Sequence, residues 1–149
     1  MLLFENLRIL CAGGCGMQAW VLIGCGGALY AALELLYRGR THWSMAVTGG
    51  LCFWLIGLFN ELWPAAPLAI QMALGGAMIT AAELVVGVLI NGCLQLHVWD
   101  YSGQAHSLFG QVCAPFGACW WVLSGAAVVL DDLLRMALFG ESFTLPVLF

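Results

Sequence analysis

From Pro67 to Ile90 the chain runs through 24 residues with a single charged side chain, Glu83. A helix of that length spans about 36 Å, enough to cross the ~30 Å hydrocarbon core of a bilayer. Three further apolar runs occupy roughly residues 17–37, 44–62 and 108–130. The chain is 63% hydrophobic and 8% charged, whereas soluble domains carry about 25% charged residues. A fold of 149 residues leaves much of its surface exposed, so this much apolar surface calls for lipid as solvent. The expectation is an all-α integral membrane protein. It is a compact bundle of about four transmembrane helices, forming a single domain over residues 1–149 as a multi-pass protein of the cell membrane.

Glu83 is the residue that needs an explanation. A carboxylate inside a membrane-length run is costly, faces protein or a wet cavity, and needs a partner. Gly76, Thr80, Glu83 and Gly87 follow 4-3-4 spacing and share one helical face, which is small and polar and should point into the bundle. Glu83 therefore reads as a binder of a proton, a cation or a small substrate, or as a buried acid hydrogen-bonded to Thr80 or a neighbouring helix.

The first run places Gly24, Ala28, Ala31, Ala32 and Leu35 around one side, the kind of surface that lets another helix approach closely. Near its end Glu34 precedes Arg38 by four residues, the favourable order for an ion pair. Ala31-Ala32-Leu33-Glu34-Leu35 is echoed by Ala81-Ala82-Glu83-Leu84. A parallel two-span repeat of this kind would turn Glu34 and Glu83 toward a shared central cavity. Gly49-Gly50 in the second run weakens the helix or permits close backbone contact. Residues 1–16 mix Glu5 and Arg8 with apolar side chains, as an interfacial helix does; the alternative is an extension of the first spanning helix.

Between the third and fourth runs lies a connector with Asn91-Gly92, a breaker, and His97-Val98-Trp99-Asp100-Tyr101. Trp99 and Tyr101 are interfacial residue types, and Asp100 opens a turn by capping the amides that follow. Pro115 is expected to kink the fourth helix, with Gln111 offering polar contacts nearby. Asn60, Glu61, Asp131, Asp132 and Arg135 read as solvated helix ends.

Function classes follow from what is scarce. Four Arg, no Lys and a net charge of −4 provide no basic stripe for nucleic acid. The seven cysteines include no C-x-x-C pair and read as reduced packing residues. His97 and His106 lack zinc spacing. No catalytic set, metal or cofactor is expected. With Arg38 and Arg40 balanced by Arg8 and Arg135, the positive-inside rule gives no orientation.

At His42-Trp43-Ser44-Met45, Gly49-Gly50-Leu51-Cys52-Phe53, Glu83, Trp99-Asp100-Tyr101-Ser102 and Leu108-Phe109-Gly110-Gln111-Val112-Cys113 the chain resembles the CmpB-like family called "putative ABC-transporter type IV". The resemblance covers roughly Tyr30 to Arg135. Its most specific part is W-D-Y-S followed by F-G-Q-x-C. Gln104-Ala105-His106-Ser107 stands where members often show an Asn-Leu-bearing stretch. The resemblance implies a small bacterial membrane protein of permease type. No G-x-x-x-x-G-K-[ST] motif occurs, so the chain would be a membrane subunit beside a separate transporter partner. The expected partners are the lipid bilayer and a second copy of the chain, with a dimer favoured. The expected binding residues are Glu83, Glu34, Trp99, Asp100, Tyr101 and Gln111. A non-catalytic assembly partner, or an enzyme acting on a lipid-linked substrate, are the alternative readings.

Overall fold

A computed structural model describes residues 15–143. The expected interfacial segment lies outside them, apart from Cys15 and Gly16, and so do the last six residues of the tail. Four helices follow one another: α1 (Cys15–Arg38), α2 (Trp43–Leu62), α3 (Leu68–Gly87) and α4 (Ala114–Phe139). α3 continues into a π-helical turn, Val88–Cys93. Three of these segments, α1, α2 and α3 with its π turn, are long and apolar enough to cross a membrane. α4 packs along α3 and completes an all-helical membrane bundle. Leu36, Trp20 and Val122 are among the large apolar side chains on its outer surface, which suits lipid contact.

The helix ends have local causes. Gly39 terminates α1 at φ 67°, and its N–H donates to the Leu35 carbonyl at 2.9 Å; a left-handed residue there suits glycine. His42 caps α2, its ring nitrogen accepting from the Ser44 amide at 3.3 Å. Pro67 precedes α3, and its carbonyl accepts from the Ile70 amide at 2.9 Å. Gly140, at φ 72°, closes α4.

α4 departs from its expected span. Residues 108–113 form a tight reversal, not helix: Leu108 bridges to Val112, and Phe109 and Gly110 adopt φ 53° and 69°. Two consecutive positive φ values belong to a mirror-image turn and cannot continue a right-handed helix. Pro115 then sits in the first turn of α4, where its missing N–H breaks no bond, so the expected kink is absent. Asn91-Gly92 likewise does not end the third helix abruptly, because the backbone widens into the π turn.

Packing revises the reading of α1. Its buried positions are Leu22, Gly26, Gly27 and Glu34, while Gly24, Ala28, Ala32 and Leu35 are exposed. Gly50 on α2 lies against the Ile23 carbonyl, so α1 and α2 meet backbone to backbone. The face expected on α3 packs inward: Gly76 lies on the Trp121 backbone and Gly87 beside Gln111 and Trp99.

The far end of the bundle also differs from expectation. Asn60, Asp131, Asp132 and Arg135 are buried rather than solvated. Asn60 donates to Asp132 at 2.9 Å and Arg135 Nε donates to Asp131 at 2.5 Å. Space for this comes from Gly57, against whose backbone the Asp131 carboxylate rests. These polar groups pair with one another inside the protein, although one oxygen each of Asp131 and Asp132 has no hydrogen-bond partner.

Candidate functional site

Glu83 is 3% exposed and is held between two other elements. The Tyr101 hydroxyl, from the connector, donates to Oε1 at 3.0 Å. The Trp120 indole N–H, in the second turn of α4, donates to Oε2 at 2.9 Å. Thr80 instead donates to the Gly76 carbonyl at 2.8 Å. Among the described residues no ion pair involves Glu83. An acid in an apolar setting is thus met only by neutral donors. Burial, reinforced by the charge of Glu83, holds the Tyr101 hydroxyl well above its ordinary pKa, so it stays a donor across the accessible pH range. Tyr101→Phe should remove this one bond while keeping the ring stack on Phe116, whose centroid lies 4.7 Å away. The expected loss is about 1 kcal/mol, toward 3 kcal/mol if the acceptor is ionised, read from unfolding in detergent.

The connector is braced by Asn91, which is buried within the π turn. Its amide donates to the Trp99 carbonyl at 2.9 Å and to Gln111 Oε1 at 2.8 Å, and its carbonyl accepts from the Val98 amide at 2.7 Å. Trp99, expected as an interfacial ring, is instead buried at 4% exposure, its indole N–H donating to the Gln111 carbonyl at 3.0 Å. Trp99 and Gln111 therefore hold the connector over the end of α3, which positions Tyr101 against Glu83. Asp100 is not brought to Glu83. It is exposed and accepts from the Ser102 amide and hydroxyl at 2.8 and 3.1 Å. These bonds, the amide first, hold its carboxyl below the usual range. Asp100→Asn should preserve the turn and Asp100→Ala should loosen it, with protection of the Ser102 amide in hydrogen exchange as the readout.

Glu34 is buried and accepts from Arg38 and from the Thr41 hydroxyl, the latter at 2.6 Å. It borders a cavity of about 420 Å³ between α1 and α4, lined also by Tyr37, Tyr101, Phe116 and Cys119. Glu83 borders an adjoining cavity of about 130 Å³. Tyr30, Leu33, Trp120 and Leu123 line both. The Tyr30 and Trp120 rings, 6.0 Å apart, form part of the wall of both cavities. Phe116 joins Tyr37 and Trp120 with centroid separations of 6.2 Å each. The arrangement is an aromatic chamber with an unpaired acid at its inner wall and a compensated ion pair at its rim.

Sequence reasoning missed Trp120, Tyr30 and Asn91. Trp120 sits in an apolar run beside Trp121, and the Phe116–Trp120 spacing of four, which puts both rings on one face, is the signal that could have found it. Tyr30, Glu34 and Arg38 also fall on one face at intervals of four. Asn91 was hidden by reading Asn-Gly only as a breaker.

A family model described as "Putative ABC-transporter type IV" matches residues 21–140, well over half of the chain and inclusive of every residue of the chamber. No curated protein and no solved structure matches.

Proposed function

This chain belongs to the "Putative ABC-transporter type IV" family, and we propose on that footing that it is a small multi-pass permease subunit of the cell membrane whose exchangeable binding group is Glu83. All four helices cross the bilayer in this reading, which puts the start of α1 and the end of α4 on the same side. The observation that carries it is the carboxylate of Glu83: buried, bordering a cavity, and, among the described residues, bonded only to neutral donors. Such a group can hold a proton, a cation or the cationic part of a small substrate, one at a time. Without a phosphate-binding Gly-Lys loop in the sequence, ATP hydrolysis would fall to a separate partner.

Reconstitution into proteoliposomes tests this. Proton movement and solute uptake are followed for the natural chain and for Glu83→Gln, which keeps size and can still accept from Tyr101 or Trp120. Transport is expected from the first and not from the second. Equal transport by both removes Glu83 from the mechanism. Transport by neither, with Glu83→Gln less stable, favours the assembly-partner reading, which draws on the same two hydrogen bonds as a helix lock.

The exposed side of α1 supports a homodimer. Gly24 has nothing within 4 Å of a would-be side chain, and Ala28 and Leu35 beside it are also exposed, a surface on which a second copy can pack closely. Gly24→Leu should leave the protomer's helicity and melting unchanged while shifting the particle mass from dimer to monomer in size-exclusion light scattering.

A further inference from the structure

We infer that the chamber between α1 and α4 binds a lipophilic organic cation, with its charged centre set against Glu83 and the Tyr30 and Trp120 rings and its apolar body in the larger cavity. The inference rests on the transport reading of Glu83 and specifies its substrate class.

Charge selects the sign of the ligand. Arg38 is already engaged by Glu34, so the rim is neutral overall, and an anion finds no free guanidinium. Glu83 has no cationic partner among the described residues and is the one carboxylate on the chamber's inner wall left to balance a ligand. Aromatic ring faces attract cations through their quadrupole, more strongly when water is excluded, and the Tyr30, Trp120, Phe116 and Tyr101 rings line this space.

Ligand chemistry excludes an inorganic ion as the principal occupant. Hard cations want six or more oxygen ligands. Among the described residues, no group of three His, Cys, Asp or Glu is placed to hold a metal ion, and the walls beside Glu83 are mostly rings and aliphatic side chains. A quaternary or protonated amine carried on an apolar body needs one counter-charge and aromatic faces, which is what is present. The larger volume, about 420 Å³, lies within the roughly 300–1,000 Å³ of small-molecule sites.

The route in points to the same class. α1 and α4 touch only sparsely, and the chamber residues Tyr37 and Leu33 are 75% and 48% exposed on that side. A gap between two helices of a membrane bundle would let a ligand that partitions into the membrane reach the chamber directly.

The test uses the full chain in lipid nanodiscs, titrated calorimetrically with benzyltrimethylammonium, with benzyl alcohol as neutral probe and benzenesulfonate as anionic probe. Empty nanodiscs give the partitioning background. The cation should bind at least about tenfold more tightly than either control, the scale of one desolvated cation–π contact. Glu83→Gln should reduce cation binding about tenfold or more. Phe116→Leu, which removes neither donor to Glu83, should weaken it several-fold; circular dichroism checks the fold of both. Equal binding of the three probes, or cation binding indifferent to both substitutions, overturns the inference. Cation binding without Glu83-dependent movement in proteoliposomes upholds this site and overturns the transport reading. Glu83-dependent proton movement without preference for the cation does the reverse.

Discussion

Arg135→Met is expected to destabilise the folded protein by roughly 3–5 kcal/mol, the usual cost of stripping the partner from a buried charge. The measurement is reversible unfolding by SDS titration in mixed micelles. Arg135 serves several acids at once. It donates to Asp131 at 2.5 Å and has Glu61 and Glu141 at 3.9 Å. Asp131 is 0% exposed and Asp132 6%, and one oxygen of each already lacks a hydrogen-bond partner. Removing the guanidinium leaves Asp131 with none, pressed against the α2 backbone at Gly57. The reverse change is milder. Asp131→Asn keeps a polar group in the same space and leaves Arg135 near Glu61 and Glu141. The double variant Asp131→Asn with Arg135→Met should recover most of the lost stability, because neither lone charge remains. A double variant as unstable as Arg135→Met alone would mean that Arg135 acts through its packing stem rather than its charge.

How far the molecule could be read from its residues follows the same physics. Helices are forced by lipid, which leaves backbone groups no partners outside their own segment, so the apolar run lengths located α1, α2 and α3. Glu83 stood out because its cost in an apolar run is large and local. Its partners did not stand out. Tyr101 reaches Glu83 only because the connector folds back through the π turn and through Gln95, His97, His106 and Phe109 at positive φ. None of those four is glycine, so the residue types at these positions did not mark where the backbone turns left-handed. Asp131-Asp132-Leu133-Leu134-Arg135 resembles any solvated helix end, and only the facing Gly57 shows that a neighbouring helix covers it. α1 carries two small-residue faces a fraction of a turn apart, Gly24 with Ala28 and Gly26 with Gly27. Spacing alone cannot choose between them; the choice is made by where α2 has small residues to offer in return.

That choice makes Gly50 the position with the second large expected effect. A Cβ built on Gly50 would meet the Ile23 carbonyl oxygen more closely than real Cβ atoms sit, and the Gly27 amide nitrogen at 3.1 Å. Both obstacles are backbone, so no rotamer change relieves them. Gly50→Val must push α1 and α2 apart along their seam, and the damage reaches beyond the substituted residue: Phe53 beside Gly26 and Tyr30 beside Gly49 sit in the same layer. Overpacking at a single site costs about 1–3 kcal/mol, and separation of the helix pair places this substitution at or above the top of that range. Gly24→Val supplies the control within the partner helix, since its side chain enters open space and both variants add the same β-branched residue to a helix. Gly50→Val should unfold at markedly lower SDS fraction while Gly24→Val stays near the natural chain. Equal losses would show that helix propensity, not the α1–α2 contact, sets the cost. Because Tyr30 packs on Gly49 and lines the chamber beside Trp120, Gly50→Val should also weaken ligand binding, tying the backbone contact of α1 with α2 to the geometry around Glu83.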